Sequence, residues 1–407
     1  MLKTLDEKNI SPEVTKRAEE IANLPGVRQV VVFPDAHLKT KYLNLGYRID
    51  IPSSLAILTE NCLYPQFRSR GINCGMTLLK TNLFYEDSVL SKLEKVLLDF
   101  NKGLVRNLFD FFRWPLADKF SLSTEKFQQI CQKDIEYFDY SGINPKWRQG
   151  TRRLKNKMGR HFGGNHFLEI QTVDEIFDQK KAQEWGLQAG QIFILYHTAG
   201  EALDDILEKK ILDETIYQPH FVKLEKSSPN FPIILKAIKI LMNYGFTYRF
   251  TTFAILKDLF AEVFGQTAEL NHFVDHYHNG IEEIKKDENS TFFLYRHNVN
   301  KISEHSPVIL SGSFNLKSYV AEGRTEAENF LWSADHGYGD LVKRFASVAD
   351  PNLKVQRLLF KPPCSRKKEE VPLEHNPAAD FLLSLFEKNN ISQRIFSLRS
   401  IINLKFV

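Results

Sequence analysis

The chain contains 407 residues, of which 43% are hydrophobic and 26% charged, and its formal net charge is +4. These values are typical of a globular protein with a sizeable core, and so small a positive excess is weak evidence for a phosphate-bearing partner. The four cysteines, at positions 62, 74, 131 and 364, are too few and too scattered for a disulfide framework, which favours a reducing compartment.

The N-terminal segment has no apolar signal region, and no apolar run of about 18 residues occurs anywhere in the sequence. The sequence therefore predicts a soluble, cytoplasmic protein with no membrane partner. It contains no internal repeat, low-complexity tract or linker. One domain covering residues 1–407, with helical embellishments, is the simplest interpretation.

The first predicted elements lead to polar residues. Residues 12–23 predict a helix that begins after Ser11 as its N-cap. The β-branched run Val27–Phe33 predicts a buried strand that leads to Asp35 and His37, and polar groups at a strand end often point into a site. Cys74 precedes a strand-like run; taken alone, it is typical of a buried small hydrophobe.

A helical and aromatic pattern runs from position 85 to about position 153 and predicts a helical insertion. Its end is basic, with Lys146, Arg148, Arg152, Arg153, Lys155, Lys157, Arg160 and His161. These charges form either a solvated face or a phosphate-facing surface. The basic run leads directly to Gly163–Glu169, where an amide, an imidazole and a carboxylate follow two glycines. Such a segment is more polar than packing alone requires.

In the second half, predicted strands end at further histidines. Residues 191–196 lead to His197, and residues 291–295 lead to His297 and Asn298. Between them lies a helical segment, about 201–288, in which the long helix of residues 232–264 is expected to break near Gly245. A short strand at 307–310, a charged surface loop at 363–371 and a terminal strand at 397–406 complete the prediction.

One thiol and three imidazoles from separate segments, Cys74, His166, His197 and His297, form a ligand set suited to zinc, manganese, iron or cobalt. Their spacing matches no short metal-binding motif, so spacing alone is a weak indication. His336 lies between small residues, and the glycines leave room for a bulky group on a nucleophilic imidazole. Without further support, a turn histidine is the favoured interpretation of that residue.

Several motifs, in the same order along the chain, resemble those of the RtcB-type RNA ligases. Residues 34–37 (PDAH) are similar to the family's PDVH, residues 72–75 (INCG) to its DINCG and residues 164–169 (GNHFLE) to its GNHFLE. Residues 196–198, 243–249 and 297–298 are similar to IHS, NFAWANR and HN. Residues 307–320 follow PVLIPGSMGTASYV, residues 336–339 resemble HGAG, and residues 398–405 are similar to the ending LKPLGVIKG. The ordered coincidence is specific, although no single motif is.

The resemblance implies an α/β (α+β) fold with central β-sheets and a metal-dependent active site that joins RNA ends. One RNA end carries a 3′-phosphate or a 2′,3′-cyclic phosphate, and the other carries a 5′-hydroxyl. GTP guanylylates a histidine, the GMP passes to the RNA 3′-phosphate, and the 5′-hydroxyl then displaces GMP. The resemblance leaves open whether an activating protein is required.

Carried over by position, the resemblance assigns His336 as the guanylylated nucleophile. It assigns the manganese ligands, for which zinc and cobalt are alternatives, as Cys74, His166, His197 and His297. It assigns the nucleotide-binding residues as Asn165, Glu169, Asn298, Ser313, Ser318 and Lys405. Asn165 would contact phosphate, and Glu169, Ser318 and Lys405 would contact the guanine.

The chain also departs from the family pattern. Gly71 replaces an aspartate metal ligand, and Asp340 replaces an arginine after HGAG. Glu201 lies where another arginine is expected, and only nine residues separate His297 from Pro307, so the family's segment containing HRKGATRAF is expected to be missing. Three functions remain open: a divergent RNA ligase, a protein that binds RNA ends or nucleotide without sealing them, and a metal-dependent phosphoesterase.

Overall fold

The computed structural model describes residues 1–38, 51–67, 71–102, 159, 162–198, 220–312, 314–361 and 365–407. The architecture of these parts is mixed α/β and consists mostly of strands. The helices are α1 (Pro12–Ala22), α2 (Asp87–Lys102), α3 (Gln179–Glu184), α4 (Asn230–Phe264) and α5 (Ala378–Lys388). None of these helices is both long and apolar enough to span a bilayer.

The strands of the first half are β1 (Leu2–Thr4), β2 (Val27–Val32), β3 (Leu55–Glu60), β4 (Cys62–Leu63), β5 (Gly75–Phe84), β6 (Phe167–Ile176), β7 (Gln191–Thr198) and β8 (Leu224–Glu225). Those of the second half are β9 (Leu270–Tyr277), β10 (Asn279–Lys285), β11 (Thr291–His297), β12 (Val299–Lys301), β13 (Pro307–Leu310), β14 (Ser318–Gly323), β15 (Ser333–Asp335), β16 (Val348–Lys361), β17 (Ser365–His375) and β18 (Ser392–Phe406).

Two sheets carry most of these strands. The larger has the order β13-β14-β18-β6-β7-β5-β9, with β16 and β17 joined to it through β18. The smaller has the order β1-β2-β3-β11-β10. The strands β6, β7, β5 and β9 are neighbours, although long stretches of sequence separate them. Their ends therefore bring together side chains from distant motifs.

Local chemistry explains several elements. Helix α1 begins where the Ser11 hydroxyl accepts the N–H of Val14, with Pro12 in the first turn. Val14, Ala18 and Ile21, spaced three and four residues apart, are buried on one face of that helix. Strand β7 is buried along its whole length, as its apolar run predicts.

Some predicted elements differ in the structure. The range 363–371, expected as a surface loop, contains most of β17, which pairs with β16 in a long antiparallel hairpin. Its run of charged residues is typical of an exposed edge strand protected against pairing with other chains. The range predicted to be helical, about 201–288, contains α4 but also β9 and β10. The structure does not break α4 near Gly245.

Other predictions lie outside the described residues. This applies to the insertion beyond helix α2, to the basic run of residues 146–161 apart from Gly159, and to residues 201–219 of the predicted helical segment. The terminal strand of residues 397–406 is found, and it begins earlier, as β18 from Ser392.

Gly245 lies inside helix α4 and does not end it. The absence of a side chain at this position allows the helix to pack closely against another segment. A Cβ at this position would lie 2.6 Å from the Cβ of Asn73 and 2.7 Å from its carbonyl oxygen. Asn73 belongs to the turn that carries Cys74, and it has a left-handed backbone with φ of 57°. Helix α4 therefore crosses directly over this turn and holds it in place.

We expect Gly245→Ala to destabilise the protein by roughly 1–3 kcal/mol, since backbone and side chain must move apart at a tight contact. Helix propensity alone would favour alanine by about 1 kcal/mol. A decrease in the free energy of unfolding would therefore show that the tight contact outweighs helix propensity. Chemical denaturation measures it, with Gly339→Ala as control, because a Cβ at Gly339 meets no atom within 4 Å. A Gly245→Ala variant more stable than the parent would contradict this account of the crossing.

Candidate metal and nucleotide site

A thiol and three imidazoles meet at the ends of β5, β6, β7 and β9. The Sγ of Cys74 lies 3.0 Å from Nε2 of His197 and 3.3 Å from Nε2 of His166. Nε2 of His197 lies 3.2 Å from Nε2 of His278. The ligand atoms of Cys74, His197 and His278 all lie within 4.8 Å of one another, and all three residues are buried. We call these four residues the ligand cluster.

The sheet explains why these residues meet. Met76, two residues after Cys74, pairs with His197, and Phe167, one residue after His166, pairs with the same histidine. Gly75 pairs with Tyr277, which places His278 just beyond that pair. The N–H of His278 donates to the carbonyl of Cys74 at 2.9 Å. Backbone pairing therefore sets the positions of all four side chains.

The described geometry fits a metal ion. Ligand atoms around an ion with bonds of about 2.0–2.3 Å stand roughly 3–3.6 Å apart, which covers the distances of 3.0, 3.2 and 3.3 Å in the cluster. Nδ1 of His197 lies 3.2 Å from the carbonyl oxygen of Asn165, which can only accept, so Nδ1 carries the proton and Nε2 offers a lone pair. Burial, followed by the neighbouring histidines, lowers the pKa of His197 and of His278 well below the ordinary value. Both rings are therefore neutral near pH 7, as ligands must be.

His278 was not predicted from the sequence, and His297 was. The chain contains two His-Asn pairs, His278-Asn279 and His297-Asn298, and the structure brings the first to Cys74. His297 ends β11 in the smaller sheet and does not belong to the group formed by Cys74, His197 and His278. The predicted loss of the family's segment before Pro307 was counted from His297, and a count from His278 leaves more residues before Pro307.

A buried ion pair supports the turn of Cys74. Arg249, on α4, bonds through Nε and Nη2 to the two carboxylate oxygens of Asp275, on β9, at 2.6 and 2.7 Å. Its Nη1 donates to the carbonyl of Asn73 at 2.5 Å, and Nη2 donates to the side-chain oxygen of Asn73 at 3.1 Å. Thr77 on β5 also donates to Asp275. The pair therefore joins the helix, two strands and the turn before Cys74.

His336 lies beside the ligand cluster. Its ring centroid is 4.2 Å from that of His278 and 6.3 Å from that of His197. Nδ1 of His336 lies 2.8 Å from the carbonyl oxygen of Asn298, so Nδ1 donates a proton and Nε2 keeps its lone pair. Asn298 has a left-handed φ of 57°, and its side chain donates to Ser53 at 2.6 Å. In this structure Asn298 orients the imidazole of His336 through its main chain.

Three aspartates surround the segment of His336. Asp35 accepts the backbone N–H groups of Asp340 and Leu341 at 3.0 and 2.7 Å, and its own N–H donates to Asp335 at 3.3 Å. Burial, together with the nearby carboxylate of Asp340, raises the pKa of Asp35 to about 7, and burial together with the carboxylate of Asp35 raises the pKa of Asp335 well above its ordinary value. The PDAH motif thus holds the loop that follows His336.

The residues predicted to contact guanine form a second polar group. Glu169 on β6 is buried, and its carboxylate accepts from the side chains of Gln171 at 2.7 Å and Asn403 at 2.8 Å. Gln171 also donates to Ser318 at 3.2 Å. Burial raises the pKa of Glu169 to about 7, against the lowering effect of its hydrogen bonds. We call Glu169, Gln171, Ser318 and Asn403 the acceptor pocket.

Lys405 follows two residues after Asn403, and its Nζ lies 4.2 Å from the ring centroid of Phe314. Gln171 and Asn403 were not predicted as site residues. Asn403 stands where the family ending has a valine, and a polar residue in a run of apolar strand positions was the available signal. Asn165 is exposed, and Ser313 lies outside the described residues.

Comparison with known proteins identifies the family. Residues 17–405 match the family described as tRNA-splicing ligase RtcB. The chain belongs to the RtcB family. A relative named tRNA-splicing ligase RtcB from Pyrobaculum aerophilum is 26% identical over 417 residues, covering 87% of this chain and 82% of the relative. The equally named protein of Aeropyrum pernix is 24% identical over 393 residues, covering 84% of this chain and 79% of the relative. That of Thermococcus kodakarensis is 26% identical over 390 residues, with coverages of 84% and 79%.

The two His-Asn pairs allow a matched test. Loss of an outer partner of a metal ligand already weakens binding by about 10- to 100-fold, so His278→Ala, which removes a donor itself, should weaken metal binding at least as much. His297→Ala should leave metal affinity within about threefold of the parent, since its ring is not in the ligand group. Titration of metal-free protein with cobalt, followed by absorption, compares them. If His297→Ala weakened metal binding more than His278→Ala does, His297 and not His278 would be the metal ligand.

Proposed function

We propose that this protein is an RNA ligase that joins a 3′-phosphate or 2′,3′-cyclic phosphate end to a 5′-hydroxyl end, using GTP and a divalent metal. The observation that carries the proposal is the position of His336. Its Nδ1 donates to the carbonyl of Asn298, so Nε2 is the ring nitrogen that carries the lone pair, and its ring lies beside His278 in the ligand cluster. A neutral imidazole with one fixed tautomer next to metal ligands is suited to attack on a phosphate.

In the proposed first step, Nε2 of His336 attacks the α-phosphorus of GTP. A nitrogen–phosphorus bond forms, the bond between the α-phosphorus and the bridging oxygen breaks, and pyrophosphate leaves. An end with a 2′,3′-cyclic phosphate is first opened by water, which breaks the bond between phosphorus and O2′ and leaves the 3′-phosphate. An oxygen of the 3′-phosphate then attacks the phosphorus of the histidine-bound GMP, the nitrogen–phosphorus bond breaks, and the imidazole is freed. The 5′-hydroxyl attacks that activated phosphate, the phosphodiester forms, and GMP leaves. The carbonyl of Asn298 holds Nδ1 through these steps and so keeps Nε2 directed at the phosphate.

The residues that would hold the metal are Cys74, His197 and His278, with His166 on the other side of the same sulfur. A bound divalent ion would neutralise charge on the phosphate oxygens. Manganese is the family's expectation, and the thiolate and imidazole donors also suit zinc or cobalt. Asn165, with its exposed side chain next to His166, would contact phosphate.

The remaining nucleotide contacts rest on the family pattern. Glu169, Ser318 and Lys405 would contact the guanine, and Ser313 would line the same pocket. The family pattern assigns Asn298 to the nucleotide, but its carbonyl is bonded to His336 and its side chain to Ser53. Asn298 therefore acts on the nucleophile more directly than on the nucleotide.

A second candidate is a protein that binds nucleotide or RNA ends without sealing them. Asp340 favours it, because this carboxylate replaces an arginine of the family pattern within four residues of His336. A carboxylate in place of a guanidinium removes a phosphate contact and adds repulsion. Formation of a covalent GMP adduct decides between the two candidates.

Incubation with α-labelled GTP and manganese should leave the label attached to the protein through an acid-labile phosphoramidate bond. His336→Ala should abolish labelling, because it removes the attacking nitrogen. His305→Ala is the control, since that side chain is 68% exposed and pairs with Glu304 and Glu322. Intact RNA binding with no label in the parent protein, whichever metal is supplied, would favour the second candidate.

The metal count should be close to one per chain without nucleotide. Cys74, His197 and His278 offer three donors to one ion, whereas a second ion would find His166 and a shared Cys74. Two donors hold a metal poorly until phosphate oxygens complete the shell, so a second ion should appear only with GTP. Elemental analysis of dialysed protein, with and without a nonhydrolysable GTP analogue, measures this. Two metals in the nucleotide-free protein would contradict it.

Gly71→Asp should partly restore the second site. Among the described residues, a Cβ at Gly71 would meet the Cβ of Cys74 at 3.8 Å and no other atom within 4 Å, which leaves space for a side chain beside the thiol. The φ of 75° is left-handed, which aspartate tolerates better than most residues. Gly190→Asp is a matched control, because its φ is 78° and a Cβ there meets nothing within 4 Å. Equal metal content in both variants would show that residue 71 supplies no ligand.

A further inference from the structure

Arg296 is among the largest fully buried side chains in the described part of the chain, and it contacts three strands. It lies on β11 and is 1% exposed. Nη1 donates to the phenol oxygen of Tyr277 on β9 at 3.0 Å and to the carboxylate of Glu282 on β10 at 2.8 Å. Nε donates to the hydroxyl of Ser333, the first residue of β15, at 3.1 Å. The guanidinium therefore joins β9, β10 and β15 in the interior.

Two of these strands carry residues of the candidate site. Tyr277 directly precedes a histidine of the ligand cluster, and Ser333 lies three residues before His336. The main chain of β11 supplies a third link, because Asn298, two residues after Arg296, orients His336 through its carbonyl. Arg296 thus lies where the supports of the ligands and of the nucleophile meet.

The chain just before β15 adopts a conformation that needs support. Leu331 and Trp332 are consecutive bulky residues with left-handed φ angles of 57° and 48°. Such a backbone is uncommon for large side chains and persists only where surrounding contacts hold it. Nη2 of Arg296 donates to both of their carbonyl oxygens, at 3.4 Å each, and the Ser333 hydroxyl donates to the carbonyl of Leu331 at 2.9 Å. The same guanidinium therefore fixes the turn from which β15 starts.

The charge of Arg296 is balanced by a carboxylate that has a second cation. Glu282 bonds to Arg296 through one oxygen and to Lys301 through the other, at 3.0 Å. Against the effect of burial, these two cations lower the pKa of Glu282 to about 2, so the carboxylate stays ionised near neutral pH. Glu282 keeps a charged partner when Arg296 is replaced. The effect of removing the guanidinium therefore falls mainly on its hydrogen bonds.

We propose that Arg296 is a positioning residue for His336: its guanidinium sets where β15 begins relative to β9, and so sets the separation between the imidazole and the ligand cluster. A buried ion pair contributes little net stability compared with well-packed apolar residues, so stability alone does not account for a guanidinium here. Its planar fork does, since one side chain directs hydrogen bonds to several strands at fixed angles. The inference rests on the proposed function in taking His336 as the nucleophile.

The test compares Arg296→Met and Arg296→Lys with the parent, using the full chain. At saturating α-labelled GTP with manganese, Arg296→Met should label roughly 10- to 100-fold more slowly, because small displacements of a reacting group have effects of that size. The half-saturating concentration of GTP should stay within about threefold of the parent, since a positioning residue acts on the reaction step and not on nucleotide binding. Arg296→Lys keeps the charge beside Glu282 without the planar fork, so it should also remain slow.

A second measurement is independent of GTP. Nitrogen NMR of zinc-loaded protein with isotope-labelled histidine identifies the ring of His336 by the loss of its signals in His336→Ala. The parent should show a single tautomer with the proton on Nδ1, as the carbonyl of Asn298 requires. In Arg296→Met the ring signals should shift toward a mixture of both tautomers, because β15 no longer holds the ring against that carbonyl.

Arg394→Met is the matched control. Arg394 is a half-buried arginine on β18 that bonds to Glu387 through Nε and Nη2 at 2.8 and 3.0 Å, so its replacement also removes an ion pair. Both the labelling rate and the ring signals of His336 should equal those of the parent.

The outcomes separate the inference from the proposed function. Slow labelling at an unchanged half-saturating GTP concentration, together with shifted ring signals, supports the positioning role. A folded Arg296→Met with the parent's labelling rate and ring signals overturns it, and so does equal slowing in Arg394→Met. A parental labelling rate in Arg296→Lys also overturns it, which keeps the test decisive if Arg296→Met does not fold. When the parent takes no label, the proposed function fails, and the ring signals alone decide whether Arg296 holds His336.

Discussion

The ion pair between Arg249 and Asp275 is the interaction on which the site depends. Both side chains are almost fully buried, and removing one partner of such a pair commonly costs about 3–5 kcal/mol, because the other charge is left without compensation. Arg249 also donates hydrogen bonds to Asn73, the residue before Cys74. The charged pair therefore stabilises the left-handed turn at Asn73. Helix α4 can cross this turn because Gly245 has no side chain.

The ligand cluster is assembled by backbone pairing and not by the metal. Neighbouring strands β6, β7, β5 and β9 fix four donors, and burial keeps His197 and His278 neutral. An arrangement fixed before the ion binds loses little conformational entropy on binding. His336 is positioned separately: its ring is held by the carbonyl of Asn298, which follows β11 of the smaller sheet. His336 and the ligand cluster thus come from different sheets, and the proximity of their rings marks the candidate site.

The motifs of the sequence mark positions where strands end, and the structure brings three of the predicted residues, Cys74, His166 and His197, together. It could not choose between His278 and His297, since each precedes an asparagine and each closes a predicted or observed strand. The choice depends on sheet order: β9 lies beside β5, and β11 lies beside β3 in the other sheet. Strand neighbours distant in sequence are not visible in local patterns. For the same reason Gln171 and Asn403 were missed, although their polarity within strands was visible.

The acidic residues near His336 carry less charge than the sequence indicates. Asp35 has a pKa of about 7 and accepts two backbone N–H groups, so near neutral pH it is partly protonated and mainly structural. Asp340, the residue that replaces an arginine, is bonded to Lys343, and its other oxygen lies 3.9 Å from Nδ1 of His37. Its charge is thus offset by Lys343. This pairing limits the repulsion that the carboxylate would exert on a bound phosphate. The neighbouring rings of His197 and His278 are neutral, which leaves room for the charge of a metal and a phosphate.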